Sequence, residues 1–131
     1  MTMDLAMLAW SVALTWIMIM TASSIRTKLY TPKGMVLAFS NRDDLPKPTE
    51  LFARADRAAK NMLENMVLFT GLVLVAHVSG KANAMTALGA QTFLVARMVY
   101  FPVYLIGIPY LRTVIWSVGL GGMALIGYAL I

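Results

Sequence analysis

The chain has 131 residues, 60% of them hydrophobic and only 13% charged, with a mean hydropathy of +0.73. A soluble domain is nearer to roughly 45–50% apolar and 25% charged, so this composition excludes an ordinary soluble fold and points to an integral membrane protein. Eight of the eleven Lys and Arg residues fall between Arg26 and Lys60, flanking apolar runs, so the net charge of +5 reads as positive-inside patterning and not as a nucleic-acid surface.

A bilayer span needs about 20 apolar residues, so this length accommodates four helices in one domain, residues 1–131, and little else. No cysteine is present, which removes disulfides, thiolate metal sites and a cysteine nucleophile from consideration.

The first apolar run, Leu5 to Ile25, carries Trp10 and Trp16 and follows Asp4, an expected N-cap. Its positive charges, Arg26 and Lys28, come after the run and none precedes it. That polarity is the reverse of a secretory signal and predicts a retained span, residues 5–25, with its N-terminus on the non-cytoplasmic side.

Residues 26–48 form the longest polar segment, with Pro32, Gly34, Pro46 and Pro48 as breakers and Arg26, Lys28, Lys33, Arg42 and Lys47 opposing Asp43 and Asp44. The bias predicts a cytoplasmic loop. Tyr30, Met35, Val36, Leu37 and Phe39 make it less than fully polar, leaving both a membrane-surface segment and a solvated linker open.

The second helix is expected over 50–78, with Thr49 as N-cap and Glu50 where the helix dipole favours an anion. Its first half is charged and runs without a break into the apolar Met66–Val78. His77, alone at the far end, reads as a polar anchor. The short connection 79–83 makes the second and third helices antiparallel neighbours. The third span covers about 84–106. Gly107-Ile108-Pro109 breaks the chain, and the fourth span covers about 110–131, which returns the C-terminus to the non-cytoplasmic side.

Two polar faces stand out. Arg57, Asn61 and Glu64 share one face of the second helix at i, i+4, i+7, and Arg97, Tyr100 and Tyr104 share one face of the third at i, i+3, i+7. Arg112 lies one turn into the fourth helix. Antiparallel packing puts all seven at a similar depth near the cytoplasmic interface.

A charge at such a depth needs a partner, an aqueous pocket or a ligand. One arrangement is internal, with Glu64 paired to Arg97 or Arg57 and Asn61 bridging. The charge count favours another. Arg57, Arg97 and Arg112 outnumber Glu64, and Asp56 is placed to pair with Lys60 at i, i+4. Surplus guanidinium suits an anion, Arg forks match carboxylates, and Glu64 suits an ammonium group. The implied ligand is a small zwitterion with more carboxylates than amines.

These residues resemble the motifs of the membrane-associated proteins in eicosanoid and glutathione metabolism. The family's second-helix pattern, close to Arg-Ala-x-x-Asn-x-x-Glu, reads here Arg57-Ala58-Ala59-Lys60-Asn61-Met62-Leu63-Glu64, and its Arg-plus-Tyr pattern reads Arg97, Tyr100 and Tyr104 before Arg112. Asn65 after Glu64 is similar to the microsomal glutathione transferases, whereas leukotriene synthases carry Tyr there. The resemblance implies an all-α, four-transmembrane-helix bundle assembled as a homotrimer, with no metal and with glutathione as co-substrate bound between subunits at the cytoplasmic face. Arg57, Asn61 and Glu64 would contact glutathione from one subunit and Arg97, Tyr100 and Tyr104 from the next. Arg112 would be the catalytic residue that stabilises the thiolate.

The activity so implied is a glutathione transferase or peroxidase of detoxification type, acting on a lipophilic second substrate that arrives from the membrane lipid. The alternative within the family is a non-catalytic scaffold that binds a lipid or partner. A small multidrug transporter also has four short spans and one intramembrane carboxylate, but there the carboxylate is expected deep in a span with few companion arginines.

Overall fold

The computed structural model describes residues 1–131 and is entirely helical. Four long helices, α1 (Met3–Thr27), α3 (Glu50–Val78), α4 (Ala84–Ile106) and α5 (Pro109–Leu130), are each long and apolar enough to cross a membrane. A short helix, α2 (Pro32–Ala38), lies between α1 and α3. The protein is thus an all-α, four-span bundle.

The helix ends follow local chemistry. Thr49 caps α3 by accepting from the Phe52 amide at 3.1 Å, as its position predicts. Asn83 and Thr86 form a reciprocal capping box at the start of α4. Gly107, at φ 88°, ends α4 in the left-handed conformation, and Pro109 occupies the first turn of α5.

Asp4 is not the N-cap of α1. That position is Thr2, and Asp4 sits in the first turn, where its Oδ1 accepts from the Leu5 amide at 3.3 Å. Its other oxygen accepts from Thr86 Oγ1 at 3.3 Å, so this buried carboxylate ties the start of α1 to the start of α4.

Helix α2 corrects the reading of Pro32 and Gly34 as breakers. Pro32 is at the first helical position, where its missing N–H costs nothing, and Thr31 Oγ1 accepts from the Gly34 amide at 3.0 Å. Gly34 is buried against the end of α1, where a Cβ would overlap the carbonyl oxygens of Thr27 and Lys28. The glycine is there for close approach, and it seats α2 on α1.

The core explains the order of packing. On α3, Ala55, Ala58, Met62, Met66, Phe69, Val73 and Ala76 recur every three or four residues and are buried, while Val67, Leu68, Leu74 and Val75 are exposed apolar positions suited to lipid or a neighbouring subunit. Phe69 and Phe93 stack at 4.0 Å between centroids in the centre of the bundle. The most extensive pairing is α4 on α5. There Gly89 and Gly122 meet almost backbone to backbone: a Cβ on Gly122 would lie 2.6 Å from the Gly89 carbonyl oxygen. Small residues at the contact are the usual means of close helix approach in a membrane, where hydrophobic exclusion from water is absent.

Candidate functional site

The charged half of α3 packs on the last turns of α4. Arg54 Nε donates to the Leu105 carbonyl at 3.0 Å, fixing the start of one helix to the end of the other. Because α5 begins three residues after α4 ends, Arg112 returns to the same level. This brings Asn61, Tyr100, Tyr104 and Arg112 around one open cavity of about 300 Å³, completed by Thr113 and Trp116.

The remaining residues stand behind or beside it. Arg97 is fully buried, and its Nη1 donates to Asn61 Oδ1 at 2.7 Å. Its guanidinium lies over the rings of Phe93 and Tyr100, 5.3 and 5.2 Å from their centroids. Arg57 Nε donates to the Tyr104 hydroxyl at 3.2 Å. The Arg112 guanidinium lies over the ring of Tyr104 at 4.8 Å, and Tyr100 and Tyr104 meet edge to face at 5.4 Å. Tyr104 is therefore held between two cations, one at its hydroxyl and one on its face.

Glu64 is exposed and forms no ion pair with Arg57 or Arg97. The chain's two ion pairs are Arg54–Glu50 at 4.0 Å and Lys60–Asp56 at 2.8 Å, the second as the i, i+4 spacing predicts. The internal arrangement built on Glu64 is absent from the chain's own contacts. Asn61, and not the carboxylate, is the partner of Arg97.

The hydrogen-bond inventory gives the cavity a direction. Asn61 Oδ1 is engaged by Arg97 and also lies 3.4 Å from Asn65 Nδ2, so its amide NH2 is the group left over. Trp116 Nε1 and the Nε and Nη2 of Arg97 are buried without partners. Around and behind the cavity the unsatisfied groups are all donors, and no carboxylate lines it. Such a surface stabilises acceptors and anions.

Thr113 and Trp116 are absent from the motif-based selection. Trp116 follows Arg112 by four residues and so shares its helical face, a relation visible in the sequence once Arg112 is taken as a site residue.

A multi-span helical membrane protein with a donor-rich, cation-flanked cavity at one end of its bundle is the class this geometry defines. Residues 4–131 match the MAPEG family, and the chain belongs to it. It is an integral, multi-pass membrane protein of glutathione or eicosanoid metabolism. No curated protein and no solved structure matches the chain significantly.

Proposed function

We propose that this protein is a membrane-bound glutathione transferase or peroxidase, closer to the microsomal transferases than to the leukotriene synthases, that works as a homotrimer. The observation that carries the reading is the cavity: Arg112, the free amide of Asn61 and the indole N–H of Trp116 face or border one space that contains no carboxylate. Glutathione has two carboxylates, one ammonium group and a thiol, which suits an excess of guanidinium with a single acid nearby.

In this reading Arg57, Asn61, Arg97, Tyr100 and Tyr104 bind and orient glutathione. Glu64, which has no partner within the protomer, takes the ammonium group at the subunit boundary. Arg112 is the catalytic residue. A free thiol ionises near pH ~8.5, and an adjacent guanidinium favours the thiolate, raising the reactive fraction at neutral pH. The thiolate sulfur then attacks an electrophilic carbon and the leaving group departs with its bonding electrons. The lipophilic partner enters from the bilayer along the apolar helix faces. The site faces the cytoplasm and both termini lie on the other side, consistent with the basic 26–48 segment.

Purified oligomer is expected to bind glutathione in calorimetry and to conjugate it to a generic aryl halide. Arg112→Ala should lower the conjugation rate far more than the affinity. Failure to bind at millimolar glutathione would overturn the proposal, and binding without turnover in the parent protein would assign it to a non-catalytic, ligand-binding role.

A further inference from the structure

The glutathione site leaves the segment between α1 and α3 unexplained, and that segment has its own chemistry. It carries Arg26, Lys28, Lys33, Arg42 and Lys47 against Asp43 and Asp44. Two of these cations serve the fold. Arg26 donates to the Pro46 carbonyl, and Arg42 Nε donates to the Ala38 carbonyl at 3.3 Å. The lysines do not: Lys28, Lys33 and Lys47 take part in neither of the chain's ion pairs.

Lys28 and Lys33 line a cavity of about 630 Å³ together with Thr27, Thr31, Ser40 and Asp44. Two ammonium groups against one carboxylate leave it net positive, and because the hydroxyls of Thr27, Thr31 and Ser40 already donate to the Ser23, Lys28 and Leu37 carbonyls, the lysines are the free side-chain donors. Beside it, Tyr30, Val36 and Phe39 are 81%, 74% and 87% exposed. The arrangement is held in place, because Gly34 seats α2 against the carbonyls that end α1. It stands at the end of α1, where the apolar span gives way to Arg26 and Lys28 and meets the lipid–water boundary.

Unpaired cations adjoining an apolar rim at that depth are complementary to a phospholipid, whose phosphate lies beside its acyl chains. We propose that this surface docks on an anionic leaflet, with Lys28 and Lys33 holding the phosphate of a phospholipid headgroup in the cavity while Val36 and Phe39 enter the acyl region. Helix α2 is then a membrane-surface element that orients the bundle through its lipid contacts.

The chain contains no cysteine, so Phe39→Cys gives a single nitroxide-labelling position in the full-length protein. In phosphatidylcholine vesicles containing phosphatidylglycerol, the label at position 39 is expected to be more accessible to oxygen than to a water-soluble nickel chelate. In native mass spectrometry the parent protein is expected to retain phosphatidylglycerol in preference to phosphatidylcholine. The exposed-site double variant K28Q/K33Q should lower that preference on the order of tenfold, since each basic residue near an anionic surface strengthens association several-fold. Equal retention of the two lipids, or a label as open to the chelate as to oxygen, would overturn the proposal. So would release of retained phosphatidylglycerol by millimolar inorganic phosphate, which would make the cavity a site for free anions.

Discussion

Replacing Arg97 with Met separates a ligand-binding role from a structural one. Within the chain Arg97 makes one charge-assisted bond, to Asn61 at 2.7 Å, and leaves Nε and Nη2 buried without partners. A bond of that kind contributes about 1.5–3 kcal/mol, while each buried unpaired donor costs about 1–3 kcal/mol. Met removes all of these terms together, and its flexible side chain fills much of the same volume between Phe93 and Tyr100. Loss of the two cation–π contacts weighs against the gain by about 0.5–2 kcal/mol each. The terms nearly cancel, so the ligand-free variant should stay within about 2 kcal/mol of the parent in denaturant unfolding.

Glutathione affinity should behave differently. If the unpaired donors are there for a ligand's acceptor, directly or through water, their loss should weaken binding on the order of ten- to a hundredfold. Calorimetry with glutathione beside an unfolding curve gives both numbers. A variant destabilised by about 3–5 kcal/mol that keeps the parent affinity would refute the reasoning, because that is the signature of a broken structural pair.

Asn61→Ala should be the more damaging change for the fold, since it leaves all three nitrogens of the buried guanidinium without a protein partner; a loss of about 2–4 kcal/mol is expected in the same unfolding assay. Gly122→Ala puts a Cβ 2.6 Å from the Gly89 carbonyl oxygen and 2.9 Å from the Phe93 amide, so α4 and α5 must separate. Overpacking of this kind costs about 1–3 kcal/mol, and the unfolding midpoint should fall accordingly. Glu64→Gln removes a charge that has no ion-pair partner within the chain, so stability should hold while glutathione affinity drops about tenfold or more; unchanged affinity would remove Glu64 from the site.

The four spans were legible because long apolar runs have no alternative in a chain with so few charges. Helix α2 was not, because Pro and Gly have two meanings. Pro32 breaks a helix only from its interior, and at the first position it starts one; Gly34 reads as flexibility until the carbonyls of Thr27 and Lys28 are seen against it. Asp4 shows the same limit at smaller scale. Its side chain is committed across the bundle to Thr86, a partner 82 positions away that no local capping pattern names.

At the candidate site, helical periodicity was enough to gather Asn61, Tyr100, Tyr104 and Arg112, whose helices converge at one end of the bundle. It was not enough to assign partners. The sequence left Glu64 open to pairing with Arg97 or Arg57 through Asn61, but the buried Arg97 guanidinium is met by Asn61 itself, whose second role is to present an NH2 group. Glu64 and Arg57 sit on an exposed face of α3, and what meets that face is not written in the chain's own contacts.

The most direct measurement is a cryo-electron microscopy map of the purified protein with glutathione added. The account predicts density for the tripeptide in the cavity bounded by Asn61, Tyr104, Arg112 and Trp116, with the sulfur within hydrogen-bond reach of the Arg112 guanidinium and Glu64 near the ammonium group. Glutathione bound elsewhere, or that cavity closed by a side chain of the protein itself, would contradict it.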